Sequence, residues 1–340
     1  MRAVEAEKKT AAALADQRLT SYVHSIQLAH RAYLAGEFRR ARELIDGCPE
    51  EHRHWEGRYL WRLLRTGRTV YDGHEGEVAD VAIAPNGRLV VSVSATHLRG
   101  WDLETGEERF ALKDLPGLGV AFSPEGDRFA VARGPITIRD VKDQRELAHF
   151  SHPKLQPRCV AFDPDGKRIA GAGTRPDAGG PHGLGGGIVV VWDIATRKEL
   201  HCYDELSTAV FSVAFSPDGK LLAASTVGAS SELPEPGEVQ IWKLDQEAEP
   251  KKLRVREKIE AADDVPSLLS VAFVPDGSWL AAGCADGNVY FWNTKDWKRS
   301  LVIKSSDSGN VRDIAFAAVG KTIATVGSDR VVRISRYSKG

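Results

Sequence analysis

From about residue 68 onward, apolar positions alternate with polar ones over short runs, each stopped by a cluster of proline, aspartate or asparagine and glycine. The stretch VAFSPDGKLLAAS, Val213 to Ser225, is one such unit: an alternating run meets Pro217, Asp218 and Gly219, and a second apolar run follows. This pattern predicts a strand, a tight turn and a second strand. Nearly the same phrase recurs as VADVAIAPNGRLVVSVS, GLGVAFSPEGDRFAVAR, RCVAFDPDGKRIAGAG, LSVAFVPDGSWLAAGC and VRDIAFAAVGKTIATVG. Its turn glycines, Gly87, Gly126, Gly166, Gly219, Gly277 and Gly320, are separated by 39, 40, 53, 58 and 43 residues. A period of about 40 with insertions fits a four-stranded unit that cannot bury both of its faces alone and therefore repeats.

Each copy continues into a third strand, HLRGWDLETG, PITIRDVKDQ, IVVVWDIATR, EVQIWKLDQ, NVYFWNTKDW or VVRISRYSKG. All but the last then reach a short fourth strand, RFAL, LAHF, LHCY, LRV or SLVIK. On Gly73 with His74, and on the pairs Trp101 with Asp102 and Trp192 with Asp193, residues 68 to 340 resemble the WD-repeat β-propeller family. Trp242 with Lys243 and Trp292 with Asn293 are weaker matches. The resemblance implies an all-β ring of blades that binds a protein or peptide. Arg139 and Ser335 depart from it, standing where the second and sixth copies should carry Trp, and only the first copy keeps the Gly-His pair. The family's network of His, Ser or Thr, Asp and Trp is therefore expected to be incomplete in most blades. Asp286 and Asp329 keep the acidic place before the third strand, where stabilising the turn is the plainer role.

The strand count gives a six-bladed propeller. The sixth copy lacks a fourth strand, while RTVYDGH before the first copy is a fourth strand without a blade. Residues 68 to 72 are expected to complete the sixth blade and remove its open edge. The gap from Gln246 to Ser267 is too short to hold a seventh.

Residues 1 to 66 follow a different period and form a separate helical extension ahead of a propeller at 67 to 340. Leu28, Ala29, Ala32 and Tyr33 share one helical stripe, Gly36 interrupts it, and Phe38, Ala41, Leu44 and Ile45 form a second. The pair reads as a helical hairpin loosely similar to a tetratricopeptide unit, followed by a third helix from about Trp55 to Arg65. Trp55, Leu60, Trp61 and Leu64 are its candidate docking residues. The segment LAHRAYLAGEFRRARELIDGCPEEHRHWEGRYLWRLLR resembles the stretch joining the two halves of bacterial serine/threonine kinase and WD-repeat fusion proteins. No Gly-rich phosphate loop, His-Arg-Asp or Asp-Phe-Gly motif occurs in this chain, so only an interaction role in bacterial signalling carries over.

Composition narrows the function classes. Lys plus Arg at 46 balances Asp plus Glu at 47, which argues against a nucleic-acid partner. Apolar runs such as GIVVVWDI are far shorter than the ~20 residues of a membrane span, and the first residues lack the apolar core of a secretory signal. A cytoplasmic monomer is expected, or a periplasmic one if the chain belongs to a membrane-anchored assembly. Cys48, Cys159, Cys202 and Cys284 show no paired spacing and no nearby His at ligand spacing, so no metal or cofactor and no disulfide is expected. The loop GTRPDAGGPHGLGGG lies between strands and precedes no helix, which argues against a phosphate cradle and for a mobile loop; its His182 has no readable catalytic partner. An enzyme is not expected, and the alternative is a six-bladed TolB-like or lactonase-like propeller acting as a ligand binder or hydrolase.

Candidate binding residues come from the position just before each innermost strand's repeated core: Ala79, Leu118, Arg158, Phe211, Leu269 and Arg312. Arg and aromatic side chains dominate interface energetics, so Arg158, Phe211 and Arg312 are the candidate anchors. The insertions Thr174 to Gly187, Thr226 to Gly237 and Glu257 to Val265 should gather on that face, with Glu232, Glu235, Asp263 and Asp264 able to select a basic segment. The structural alternative is that Arg312 pairs with a neighbouring acid and Phe211 fills the space between blades.

Overall fold

The computed structural model describes residues 17, 20–32, 38–48, 60 and 73–337, except 104, 114, 178, 180–184, 229–236, 247–248, 256–265, 307–308, 318–321 and 330–331. The chain divides into two compact units, Met1–Gly73 and His74–Gly340. In the first, helix α1 spans 20–32 and α2 spans Phe38–Asp46. Ala29, Ala32, Ala41, Ile45 and Leu60 form its buried core, so the two stripes expected from the helical period do face a common interior. Most of the expected third helix and the closing segment 68–72 lie outside the described residues.

The second unit is a β-propeller of six sheets. Blade 1 holds β1 (Val78–Ile83), β2 (Leu89–Ser94), β3 (His97–Asp102) and β4 (Glu108–Lys113). Blade 2 holds β5 (Gly119–Phe122), β6 (Arg128–Ala132), β7 (Ile136–Asp140) and β8 (Glu146–Phe150). Blade 3 holds β9 (Gln156–Phe162), β10 (Arg168–Thr174), β11 (Gly185–Asp193) and β12 (Glu199–Thr208). Blade 4 holds β13 (Val210–Phe215), β14 (Leu221–Thr226), β15 (Glu238–Lys243) and β16 (Lys251–Arg254). Blade 5 holds β17 (Leu268–Phe273), β18 (Trp279–Cys284), β19 (Asn288–Asn293) and β20 (Arg299–Lys304). Blade 6 holds β21 (Val311–Phe316), β22 (Thr322–Gly327) and β23 (Val332–Arg336), with no fourth strand among the described residues.

The repeated hairpin forms as its turn chemistry requires. Gly87, Gly126, Gly166, Gly219 and Gly277 have φ of 64 to 73°, and each donates its N–H to the carbonyl three residues earlier at 2.8–3.0 Å. Proline at the second turn position presets the bend. In one place the structure corrects the sequence reading: Gly185 to Gly187 are not loop but the start of β11, with Gly187 paired to Thr174 and Leu206. The strand continues there because a Cβ on Gly187 would stand 2.3 Å from the Thr208 carbonyl oxygen, an approach only glycine permits.

Trp101, Trp192, Trp242 and Trp292 occupy one register position on the third strands, opposite Val90, Ile169, Leu222 and Leu280. Arg139 and Ser335 take that position opposite Phe129 and Ile323, as the sequence departures indicated. Arg139 fills its place by donating to the Gln144 carbonyl at 2.8 Å. In blade 1, His74 Nε2 meets Ser92 Oγ at 2.6 Å and its ring stands edge-on to Trp101 at 5.7 Å. Blade 6 replaces the histidine contact with Ser305 against Thr325 at 2.5 Å. Asp286 accepts from the Asn288 amide at 3.0 Å and from the Tyr290 hydroxyl at 2.5 Å, so it both closes its turn and ties it to the third strand.

Five blade interfaces are packed alike, and the sixth is not. Val120, Val160, Val213, Val271 and Ile314 on the innermost strands are 5–8% exposed against the preceding blade, whereas Val81 at the same position of blade 1 is 53% exposed. On the other side of this seam Ile334 is 74% exposed, while its counterparts Ile138, Val191, Ile241 and Phe291 are 3% or less. Val78, Ile83 and Val326 are exposed with them. The ring's two ends do approach one another, through Arg312 and Glu77 at 3.3 Å, but these apolar flanks stay in contact with water.

Candidate interaction surface

Five of the six side chains singled out at the start of the innermost strands share a backbone device. In β1 the register passes from Val78 opposite Ser94 to Asp80 opposite Val93, leaving Ala79 unpaired. The same one-residue bulge leaves out Arg158 in β9, Phe211 in β13, Leu269 in β17 and Arg312 in β21. A bulge re-aims a side chain away from the sheet faces. Leu118 stands just before β5 without a bulge and is exposed. Ala79 and Arg312 are exposed, and Arg158, Phe211 and Leu269 half-buried.

Two of the three anchor candidates are brought together. The Arg158 guanidinium lies over the Phe211 ring at 4.5 Å from its centroid, across the boundary of blades 3 and 4. Such contacts contribute about 0.5–1 kcal/mol at exposed sites and hold both groups in one orientation. Arg312 instead pairs with Glu77 at 3.3 Å, as the structural alternative had it; both side chains are more than half exposed, so the pair is weak. Glu232, Glu235, Asp263 and Asp264, and most of the three insertions, lie outside the described residues, as does His182.

One residue further along, Asp80, Gly119, Cys159, Ser212, Ser270 and Asp313 form a second ring that couples the blades. Asp80 accepts the Val120 N–H of the next blade at 2.8 Å, and Ser212 accepts that of Val271 at 3.2 Å. Asp313 accepts only its own neighbour Ile314 at 2.8 Å among the bonds described, and Val81 N–H turns to Asp80 at 2.8 Å. The blade-to-blade bond is thus replaced at the seam. Burial and then the charge of Asp313 raise Asp80 from 3.8 to about 7, and the crowding of the channel wall raises Asp313 to about 6 although part of its surface meets water. Burial also pushes the Cys159 thiol up to about 12, with the nearby Asp80 charge adding to it.

Carboxyls with raised values bind protons more tightly in the folded chain than in the unfolded one. Their contribution to stability is full below about pH 4 and is lost as pH rises through about 6 and 7. Asp80→Asn keeps an acceptor for Val120 and removes the charge. Melting curves should show the variant gaining on the parent chain from about pH 4 to about pH 8; a constant difference across that range would show that Asp80 titrates alike in the folded and unfolded chain.

Cys159 lies on the innermost and Cys202 on the outermost strand of blade 3. Linear spacing showed no metal-ligand set, but the fold places His152, Glu199 and Cys202 together at the outer rim of that blade, with their donor atoms within 4.8 Å of one another. Among the described residues no helix is long and apolar enough to cross a membrane.

The profile of the family described as WD domain, G-beta repeat matches residues 65–102, 197–231, 261–293 and 297–334. The unmatched interval 103–196 contains blade 2, whose third strand has Arg139 for Trp, and most of blade 3, with its long hairpin. The matched repeats and the six-bladed ring together give the chain a WD-repeat β-propeller fold. It is similar to a periodic tryptophan protein 2 homolog of Dictyostelium discoideum, 24% identical over 86% of this chain and 31% of that protein. The chain thus spans about a third of that relative's length. It is also similar to the small ribosomal subunit protein RACK1 of Candida albicans, at 27% identity over 65% of this chain and 78% of that one. Among solved structures, Kuenenia stuttgartiensis hydrazine synthase shares the fold at TM-score 0.66 and 15% identity, covering 78% of this chain and 84% of that chain.

Proposed function

We propose that the protein is a non-catalytic interaction scaffold that holds a protein or peptide partner at the channel mouth, on the face where the innermost strands begin. The observation that carries this reading is the ring of bulge residues, in which Arg158 is stacked on Phe211 and Arg312 stands exposed. Pre-oriented arginine and aromatic side chains bind with little loss of rotamer freedom and are the usual anchors of protein interfaces. Its WD-repeat propeller fold supports a protein as the partner. The acids Glu232, Glu235, Asp263 and Asp264 favour a basic segment in that partner, and the near-balanced charge disfavours nucleic acid. The finer setting we assign is bacterial signalling, resting on the resemblance of residues 28 to 65 to the linker of kinase and WD-repeat fusion proteins. Four cysteines outside any disulfide suit the reducing cytoplasm, where we place the chain as a monomer.

The test is affinity capture from native lysate with the parent chain and with Arg158→Ala, Phe211→Ala and Arg312→Ala combined. Cutting a true anchor costs ~2 kcal/mol or more, so the triple variant should lose its partner at matched folding, as judged by its melting curve. A folded variant that retains every captured protein, or turnover of an ester or lactone by the parent chain, would overturn this reading.

A further inference from the structure

We propose that His152, Glu199 and Cys202 form a zinc-type metal site that staples the connection between blades 2 and 3 to the outer strand of blade 3. His152 sits in the link from β8 to β9, and Glu199 and Cys202 are on β12. His152 Nε2 is 3.9 Å from Cys202 Sγ and 3.8 Å from Glu199 Oε2. Around a tetrahedral zinc ion, sulfur and nitrogen ligands are separated by about 3.5 Å and nitrogen and oxygen by about 3.4 Å. The two pairs that share His152 therefore need to close by a few tenths of an ångström, and all three donors already lie within 4.8 Å of one another, within reach of side-chain rotation.

The donor chemistry suits the ion. Thiolate, imidazole and carboxylate are zinc's three protein ligand types, and three of them leave a fourth position for water. Much softer or harder cations would each reject part of the set. The histidine is mostly enclosed, at 15% side-chain exposure, and the same link is already held on β12 by Lys154 and Asp204 at 2.8 Å. The anchored link fixes the imidazole near the strand before any ion arrives.

Two features give binding its own signatures. A cysteine thiol ordinarily keeps its proton at neutral pH and binds zinc as the thiolate, so the metal must displace a proton from sulfur and binding releases it. His152 Nδ1 accepts the Lys154 backbone N–H at 3.2 Å, an arrangement that leaves a neutral ring's proton on Nε2. Metal at Nε2 moves that proton to Nδ1 and breaks this contact, which makes the Lys154 amide a reporter.

The experiment uses the full chain, freed of metal with a chelator and titrated with Co²⁺ and then Zn²⁺. One Co²⁺ per chain should give a thiolate-to-metal charge-transfer band and intense visible bands of a tetrahedral ion, displaced by Zn²⁺, with proton release and a shifted Lys154 amide resonance. Cys202→Ser, nearly isosteric, should abolish the charge-transfer band and weaken Zn²⁺ at least tenfold, and His152→Ala should weaken it similarly, with melting curves confirming both folds. Cys48→Ser, in the helical unit, should leave band and affinity unchanged. Absence of the band in the parent chain, its survival in Cys202→Ser, or its loss in Cys48→Ser would overturn the site.

Discussion

Phe291→Ala is expected to cost about 4 kcal/mol, whereas Ile334→Ala, at the same register position one blade later, should change stability by less than about 0.5 kcal/mol. Phe291 is fully buried in the interface of blades 5 and 6, against Trp279, Phe316 and Tyr337. Ile334 faces the seam at 74% exposure. Removing a buried ring loses its transfer energy and leaves a cavity; trimming an exposed isoleucine does neither. Denaturant unfolding of both variants gives the comparison directly. A loss of several kcal/mol from Ile334→Ala would mean that the flanks of blades 1 and 6 are packed in solution as the other five interfaces are.

Truncation should give the second large effect. Removing residues 1–66 is expected to leave the ring's melting temperature nearly unchanged, whereas removing 1–72 should lower it by about 6–12 °C. The family match at 297–334 begins just before the outer strand β20 and runs through three strands of the next blade. By the same phasing, the match at 65–102 is expected to begin with an outer strand ahead of β1, and β23 is the third strand among the described residues that has no outer partner. Burying Val70 and Tyr71 there would contribute roughly 3 kcal/mol, and at ~2–4 °C per kcal/mol for a domain of this size that sets the expected drop. Equal melting of the two truncations would rule out closure by residues 68–72.

The hairpins were legible because their determinants are local. Proline, aspartate and glycine at fixed offsets set each turn, and alternation sets the faces, so copies such as Val213 to Ser225 declare themselves without knowledge of neighbours. The candidate ring was legible as a position, since Arg158, Phe211 and Arg312 share one offset from the repeated core. Their release from the ladder by a bulge was not, because a bulge depends on which partner residue lies opposite. Gly185 to Gly187 were misplaced for a related reason: glycine is a loop signal along the chain, but against the Thr208 carbonyl it is the residue that lets β11 and β12 approach. The seam could not be read at all. Val81 and Val213 sit in equivalent phrases, and their different burial is decided by blades brought together only when the chain curves round. His152 and Cys202, 50 residues apart, likewise meet only because consecutive blades are neighbours in space.

The bulge ring also separates two kinds of selection. Ala79, Arg158, Phe211, Leu269 and Arg312 have no register partner, so exchanging one of them leaves the strand pairing and the interblade cores in place. On the proposed function, recognition could then drift toward a new partner one side chain at a time while the fold's stability stays above its threshold. Five of the six blades in effect carry one editable position on an otherwise constrained repeat.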